Sequence, residues 1–544
     1  MGKGPRAEGA RKRSRRDRLD AWTEGLTLVR YLGIVASASL LVLIFPSAGL
    51  GFLAWVALVP VLLALDGLTP RVAFTTGFLT WLFAKGGTIY WLVYTMHHYG
   101  YINIVASVLI YLLLVSFIAV LWGLVFCGVH ALATFHKVPT ALALPIFWVA
   151  NEWVQSWLLS GFPWALLGYA PYRWLTVIQA ADLLGVWGMS FLIVLVNVAV
   201  AEVVRFALKR RANFPVVPAA VAALLFAGAL AYGHARLGQV EAAMAQSEPF
   251  RVAVLQGNVD QNEKWRDPQT IARTPRMYRD MAVEANANHD LALIITPETA
   301  IPVWQDRVGP LDPRIARLGI DAQTWVLTGC PTKGFDSRKN RVNHNSAVLV
   351  SPEGAAAGWY HKNRLVPFGE YIPLKDFLEK ILGGLVSGTG NFRPWAHISL
   401  MDMPQGPFAV MICYETIFPD LVRRLVNQGA SFLPNITNDT WFGNTSAPHQ
   451  HLAMVAVRAV ENRVYVPRAA NAGISGIIGP TGRIVHQTPV YVKDRYVGEV
   501  RPMYMTTLYR RVGDVLPWAC AFATLGLAMF GTVRALWASG RKKP

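Results

Sequence analysis

The sequence has 544 residues, of which 53% are hydrophobic and only 15% are charged, and it contains 19 tryptophans. Soluble domains have about a quarter of their residues charged, so these proportions exclude an ordinary soluble protein and favour a membrane protein. The formal net charge of +18 does not indicate a nucleic-acid-binding protein, because the basic residues do not form a patch interleaved with exposed aromatic residues.

Apolar stretches predict an α-helical membrane bundle of about eight spans. Residues 1–27 are rich in lysine and arginine and precede two closely spaced apolar runs, which favours a retained anchor over a cleaved signal peptide. We expect a basic cytoplasmic segment at 1–27, about seven spans within 28–233, a last span within 513–538 and a basic cytoplasmic tail at 539–544. The predicted spans are 28–45, 49–65, 72–95, 103–133, 139–159, 176–204, 215–232 and 515–537.

The positions of lysine and arginine predict the orientation of these spans. The basic loops lie near Arg71, at His136-Lys137 and from Arg205 to Arg211, and the loops between them are nearly free of positive charge. The positive-inside rule therefore places residues 234–512 outside the cytoplasm. Two charged residues within predicted spans, Lys85 and Glu152, indicate either a cavity for a lipid headgroup or substrate, or pairing inside the bundle.

Residues 234–512 have the pattern of an α/β domain large enough to bury its own core. Short β-rich runs alternate with helical segments, and there is no glycine-rich phosphate loop, no H-E-x-x-H motif and no internal repeat. The predicted strands are 251–256, 291–296, 325–328, 346–350, 408–413, 431–434 and 476–478. The predicted helices are 270–286, 419–428 and 450–462.

Cys413 is the candidate nucleophile of this domain. It ends an apolar strand and precedes a predicted helix, where helix-end amides favour a thiolate. The alternative is a packing role, because cysteine is among the most buried residue types. Cys127 and Cys520 fall in apolar segments, so only Cys330 is left as a second cysteine for a polar site, and a disulfide between Cys330 and Cys413 stays open.

Three other charged positions fit chemistry with a thiol. Glu298 follows an apolar strand, where a carboxylate is partly desolvated and suited to proton transfer, or else acts as a cap. Lys362 provides an ammonium that can stabilise an oxyanion, or else is an ordinary solvated lysine. Glu370 and Glu415 lie where they can position Lys362 or share its proton, which would make the titration of the group a coupled one.

These positions fall in three motifs, P-E-T-A at 297–300, H-K-N-R-L-V-P-F-G-E-Y at 361–371 and M-I-C-Y-E at 411–415. Together, and in this order, the motifs resemble the Glu-Lys-Cys signature of the nitrilase, or carbon-nitrogen hydrolase, superfamily. The resemblance implies an αββα sandwich, a catalytic triad of Glu298, Lys362 and Cys413, supporting carboxylates at Glu370 and Glu415, and a residue that follows the nucleophile at Tyr414. One departure is Thr296, where the family would have an aromatic residue before the proline.

A nitrilase-like domain between seven spans and a last one resembles the bacterial apolipoprotein N-acyltransferase family. This resemblance implies an inner-membrane, multi-pass enzyme without a cofactor and with a periplasmic catalytic domain. It implies transfer of the sn-1 acyl chain of a phospholipid, through a thioester on Cys413, to the α-amine of the diacylglyceryl-cysteine of an apolipoprotein. Two alternatives are a membrane-tethered amidase or nitrilase for small C–N substrates, and a transporter or lipid-binding protein with an inactive outer domain.

Several further residues are candidates for substrate access. The segment 377–392, with Leu382 and Leu385, predicts a mobile membrane-facing lid or, alternatively, an ordinary buried helix. Trp441 and Phe442 predict a second part of this gate or a packed aromatic turn. Trp265 is a candidate for an acyl pocket, although a packed tryptophan explains it equally well. His449 and His451 lack a third ligand at a suitable spacing, so we expect no metal.

Overall fold

The computed structural model of the protein describes residues 28–335, 339–372 and 392–540, with side chains up to residue 534. Its N-terminal part is a helical bundle that forms from apolar segments joined by short loops. The helices of this part are α1 (Leu28–Leu43), α2 (Val59–Leu63), α3 (Pro70–Thr88), α4 (Trp91–Tyr94), α5 (Ile104–His136), α6 (Thr140–Gln155), α7 (Leu175–Ile178), α8 (Ala181–Ala207) and α9 (Val216–Ala245).

The α/β part follows α9 and contains twelve strands in the described residues. Its strands are β1 (Phe250–Gln256), β2 (Leu293–Ile295), β3 (Gln305–Asp306), β4 (Trp325–Phe335), β5 (Arg341–Val350), β6 (Ala356–His361), β7 (Met411–Ile412), β8 (Asn435–Thr437), β9 (Val466–Ala470), β10 (Gly476–Ile478), β11 (Ile484–Gln487) and β12 (Asp494–Val500). Its helices are α10 (Glu263–Arg266), α11 (Pro268–Ala287), α12 (Pro313–Ala322), α13 (Pro419–Asn427) and α14 (Ala447–Asn462). The chain ends with α15 (Leu508–Val512) and α16 (Val515–Gly540).

Four helices, α5, α8, α9 and α16, are long and apolar enough to cross a membrane among the residues searched. Helix α16 returns to the bundle and packs against α6, α5 and α8. The second predicted span, 49–65, is not one continuous helix. It contains a 3-10 helix at Gly51–Trp55 and then the short α2, which has Pro60 in its first turn, where the missing N–H costs nothing.

The strands form two sheets that face each other. The larger sheet has the order β12-β1-β2-β4-β5-β6, with β3 beside β4, and the smaller one has the order β11-β10-β9-β8-β7. In the smaller sheet β7, β8 and β9 are parallel, so their carboxyl ends meet at one edge. In the larger sheet β1, β2 and β4 are parallel, β5 is antiparallel to β4, and β6 is antiparallel to β5.

Alternation along the strands explains the layered order helix, sheet, sheet, helix. On β1, Val252 and Val254 point into the core shared with Met411 of the smaller sheet. The intervening Ala253 and Leu255 belong to a second core, beneath helices α11 and α12. Successive side chains of a strand point to opposite faces, so both faces of the sheet are covered and the domain has the predicted sandwich order.

Several predicted strands have different bounds. The run 408–413 pairs as a strand only at Met411–Ile412, and the run at 431–434 gives way to β8 at 435–437. Five strands were not predicted, namely β3, β6, β9, β11 and β12. For β6 and β9 the reason is that A-A-G-W-Y-H and V-P-R-A-A lack the alternation and β-branched composition on which strand prediction relies. All three predicted helices are present with small shifts of their ends.

A buried ionic cluster joins the bundle to the α/β part. Asp182, at the start of α8, accepts hydrogen bonds from Arg463 at 2.7 Å, from Arg236 of α9 at 2.8 Å and from the hydroxyl of Tyr232 at 2.6 Å. The side chains of Asp182 and Arg463 are 1% and 0% exposed. This one carboxylate therefore pairs with two guanidinium groups from two different parts of the chain.

We expect Asp182→Ala to destabilise the whole protein, because it leaves the buried charge of Arg463 without its carboxylate partner. Such a loss costs about 3–5 kcal/mol of unfolding free energy. Thermal unfolding of the purified protein in detergent measures the change. The matched control is Glu284→Ala, which removes an exposed ion pair with Arg495 and is expected to cost less than about 1 kcal/mol. Equal midpoints for the two variants would contradict this role of Asp182.

Candidate active site

Each residue of the predicted triad lies at the start of a loop that follows a strand, and the three loops meet at one edge of the sandwich. Glu298 follows β2, Lys362 follows β6 and Cys413 follows β7. The three residues are only 6%, 1% and 6% exposed. The loop of Glu298 lies so close to β4 that a Cβ on Gly329 would be 2.4 Å from the backbone nitrogen of Thr299, so only glycine fits there.

The ammonium of Lys362 lies between two carboxylates. Its Nζ donates to Oε1 of Glu298 and to Oε1 of Glu370, both at 3.0 Å. Burial by itself would lower the pKa of Lys362, but Glu298, Glu370 and Cys413 together raise that pKa well above its ordinary value. Lys362 therefore stays charged and serves as a fixed positive charge beside the thiol.

Asn345 completes this cluster, although it lies outside the three sequence motifs. Its Nδ2 donates to Oε1 of Glu298 and to Oε1 of Glu370, both at 2.7 Å. It lies on β5, where its carbonyl also accepts a hydrogen bond from the Lys362 amide at 2.9 Å. The Asn345 amide thus holds the two like-charged carboxylates beside the same ammonium. Nothing in a lone strand asparagine signals this role.

Cys413 occupies a sharp turn between β7 and a 3-10 helix at Cys413–Ile417. Its φ of 51° lies in the left-handed region, an uncommon conformation for a residue other than glycine. Burial and the negative charge of Glu298 raise the pKa of its thiol well above the ordinary range, and Lys362 offsets this only in part. The expectation that helix-end amides favour a thiolate was wrong. The thiol is neutral at rest, because desolvation and a carboxylate outweigh the nearby ammonium.

Glu415 braces the turn instead of contacting Lys362. Its carboxylate accepts hydrogen bonds from the amides of Ile412 at 2.8 Å and Asn363 at 2.6 Å, and from the hydroxyl of Tyr360 at 3.0 Å. Burial raises the pKa of Glu415 to about 7, against the lowering effect of these amides. These contacts do not support the alternative in which Glu415 shares the proton of Lys362. Glu415 ties the Lys362 loop to the Cys413 turn.

A second buried network lies behind the nucleophile. His451 is hydrogen-bonded to the carbonyl of Cys413 at 3.2 Å, to the hydroxyl of Thr416 at 2.7 Å and to Asp439 at 3.1 Å. Arg468 pairs with Asp439 at 2.6 Å. Burial raises the pKa of Asp439, but Arg468 and His451 outweigh it and hold that pKa below its usual range. His451 is therefore a buried support of the turn, and the searched residues contain no metal-binding group of three such side chains.

Lys264 is another buried cation that sequence reasoning missed. Its Nζ donates to the hydroxyl of Thr299 at 2.8 Å and to the carbonyl of Glu298 at 3.4 Å. Burial lowers the pKa of Lys264 to about 7, and Glu298 opposes that shift. Lys264 thus supports the turn in which Thr299 has a φ of 47°. A lysine in a short polar helix carries no sequence signal of burial.

The candidates for substrate access are partly described. Tyr414 donates to the carbonyl of Gly161 in the bundle at 2.9 Å. Trp441 packs edge-on against Tyr99, with ring centroids 5.4 Å apart, and Phe442 packs against Trp91, with centroids 4.9 Å apart. Trp441 and Phe442 therefore lie where the α/β part meets the bundle.

Of the remaining access candidates, Trp265 contacts other aromatic residues, and two leucines lie outside the described residues. Trp265 is partly buried, with its ring centroid 6.5 Å from that of Trp304. Trp304 in turn stacks on Phe392 with centroids 6.0 Å apart. Leu382 and Leu385 lie outside the described residues.

Opposite changes in thiol reactivity are expected when the two charges beside Cys413 are removed. Glu298→Gln removes a charge that raises the pKa of Cys413, so more thiolate forms at a given alkaline pH and alkylation by iodoacetamide becomes several-fold faster. Lys362→Met removes a charge that lowers this pKa, so alkylation slows. Labelling followed by peptide mass spectrometry at a series of pH values measures both, and Cys413→Ala identifies the labelled site. Slower alkylation in both variants would contradict this electrostatic description.

Comparisons with known proteins identify two families along the chain. Residues 37–199 match the family described as apolipoprotein N-acyltransferase N-terminal domain, and residues 251–506 match the carbon-nitrogen hydrolase family. The second match contains Glu298, Lys362 and Cys413. Among solved structures, Saccharomyces cerevisiae Nit3, a member of branch 10 of the nitrilase superfamily, covers 49% of this chain and 96% of its own at 18% identity, with a TM-score of 0.37.

Full-length relatives extend the similarity across both parts of the chain. The apolipoprotein N-acyltransferase of Geobacter metallireducens is 40% identical over 90% of this chain and 93% of its own length. That of Methylococcus capsulatus is 34% identical over 82% of this chain and 85% of its own. Similarity of this extent includes the helical bundle as well as the nitrilase-like domain, so the chain belongs to the apolipoprotein N-acyltransferase family.

Proposed function

We propose that this chain transfers the sn-1 acyl chain of a phospholipid, through a thioester on Cys413, to the α-amine of the diacylglyceryl-cysteine of an apolipoprotein. The observation that carries the proposal is the buried cluster of Cys413, Glu298 and Lys362 in a chain that also has a large apolar bundle. A buried thiol beside a carboxylate and an ammonium is suited to acyl transfer, because it combines a nucleophile, a base and a positive charge for an oxyanion.

In the first half-reaction Glu298 takes the proton of the Cys413 thiol as the sulfur attacks the ester carbonyl carbon. The Lys362 ammonium stabilises the negative charge that develops on the carbonyl oxygen. The C–O bond of the ester then breaks, and Glu298 returns the proton to the departing oxygen. The products are a lysophospholipid and an acyl group bound to the sulfur of Cys413.

In the second half-reaction the amine of the acceptor attacks the thioester. Glu298 takes a proton from the attacking nitrogen, the C–S bond breaks, and the sulfur of Cys413 regains its proton. Thioesters also react with water, so the low exposure of the site favours transfer over hydrolysis. Glu370 and Glu415 have supporting roles in this scheme, as partners of Lys362 and of the Cys413 turn.

Contacts in the bundle support eight membrane-crossing segments. Gly51 lies beside Ala170 near the α/β part, whereas Asp66 pairs with Arg205, at the far end of α8, at 2.8 Å. The short helices between 51 and 63 therefore connect the two ends of the bundle although neither is long enough to do so alone. On this arrangement Arg71 and Lys137 lie at the end opposite the catalytic domain.

This charge distribution supports a cytoplasmic far end and a periplasmic catalytic domain at 234–512 in the inner membrane. The remaining domain bounds of the proposal are 1–27 for the basic cytoplasmic segment, 28–233 for the first seven crossings, 513–538 for the last one and 539–544 for the tail. The lipid donor then reaches Cys413 from the outer leaflet. Trp441, Phe442 and Trp265 are proposed to border its route.

The amidase alternative uses the same triad but requires no bundle, and the full-length relatives do not favour it. It makes a separate prediction, the release of ammonia and a free carboxylic acid from small amides. The inactive-receptor alternative predicts no covalent chemistry at Cys413.

Intact-protein mass spectrometry after incubation with phospholipid tests the proposal. We expect a mass gain of one acyl chain in the wild type, its loss on addition of a diacylated lipopeptide, and no gain in Cys413→Ala. The matched control is Cys330→Ala, which changes another free, buried cysteine and should keep the adduct. Absence of an adduct in a folded wild-type protein that binds phospholipid would overturn the proposal.

A further inference from the structure

The loop that joins α6 to the next part of the bundle reaches the active site. We call this loop, residues 160–167, the bridging loop. It contains left-handed backbone at Ser160, Gly161 and Ala165, and the side chains of Trp164 and Leu167 are 1% and 3% exposed. Such a conformation persists only where surrounding contacts fix it.

Two charged side chains of the bundle fix the main chain of the bridging loop. The Nζ of Lys85, on α3, donates to the carbonyls of Trp164 and Ala165, both at 3.0 Å. Oε1 of Glu152, on α6, accepts a hydrogen bond from the amide of Leu167 at 2.8 Å. Both side chains are therefore hydrogen-bonded directly to the main chain of the loop.

The opposite side of the bridging loop contacts the nucleophile turn. The carbonyl of Gly161 accepts the hydrogen bond from the hydroxyl of Tyr414, the residue next to Cys413. The ring of Trp164 lies 5.6 Å from that of His451, which is hydrogen-bonded to the Cys413 carbonyl. The indole nitrogen of Trp164 donates to Gln450 at 2.7 Å.

From these contacts we infer that Lys85 and Glu152 are positioning residues for Cys413, which they act on through the bridging loop. Cys413 has a strained φ, and Glu415 and His451 stabilise its turn from within the α/β part. The hydroxyl of Tyr414, by contrast, forms its hydrogen bond with the bundle. The bundle therefore sets the position of the sulfur relative to Glu298 and Lys362. Small displacements matter here, since a shift of about 1 Å at a reacting group can cost about 100-fold in rate.

The test measures the rate of Cys413 acylation in the full-length protein, and so it rests on the proposed function. Lys85→Met should lower the acylation rate at saturating phospholipid about 10- to 100-fold and leave the half-saturating phospholipid concentration unchanged. Lys85→Arg can still donate to both carbonyls and should recover most of the rate. The matched control is Thr80→Val on the same helix, whose hydroxyl donates only to Thr76 and whose loss should leave the rate unchanged.

A double-mutant cycle separates positioning from general damage. If Lys85 acts through Gly161 and Tyr414, the variant Lys85→Met with Tyr414→Phe should be about as slow as the slower single variant. The inference would be overturned if the rate losses of the two single variants multiplied in the double variant. It would also be overturned by a wild-type acylation rate in folded Lys85→Met. If Lys85→Met does not fold, the acylation rate of Trp164→Phe is measured instead. A wild-type rate in Trp164→Phe would contradict a link from the bridging loop to Cys413. Failure of the wild type itself to acylate counts against the proposed function instead.

Discussion

Lys362 places one positive charge between two carboxylates in a region that water scarcely reaches. A buried charge is tolerated only when it is paired and hydrogen-bonded, so Lys362, Glu298, Glu370 and Asn345 depend on one another. Burial, together with the negative charge of Glu298, raises the pKa of the Cys413 thiol and keeps it protonated. Deprotonation of the Cys413 thiol is therefore coupled to its attack on an electrophile. The substrate-free site does not hold a thiolate.

Two sheets and a bundle each provide part of this arrangement. Glu298 and Lys362 come from the larger sheet and Cys413 from the smaller one, so the triad exists only when the two sheets pack face to face. Glu415 hydrogen-bonds to both the Lys362 loop and the Cys413 turn across this junction. The bridging loop adds a contact from the bundle. The nucleophile turn is therefore in contact with both sheets and with the bundle.

The site residues that lie in the three sequence motifs could be predicted from the sequence alone. Glu298, Lys362 and Cys413 each end a strand in a recognisable pattern, and the structure brings them together. Asn345 and Lys264 were missed, because their burial depends on neighbours far away in the chain. The charge state of Cys413 was predicted wrongly for a related reason. Desolvation and the distance to Glu298 are tertiary quantities, and no local pattern encodes them.

The protonated state of Cys413 also bears on how long the enzyme lasts. Oxidation to sulfenic acid and exchange with disulfides proceed through the thiolate, so a buried neutral thiol resists both. The proposed periplasmic location is an oxidising compartment where an exposed, low-pKa cysteine is readily lost. Burial and the neighbouring carboxylate, which keep the thiol protonated until substrate binds, therefore also protect Cys413 from oxidative inactivation.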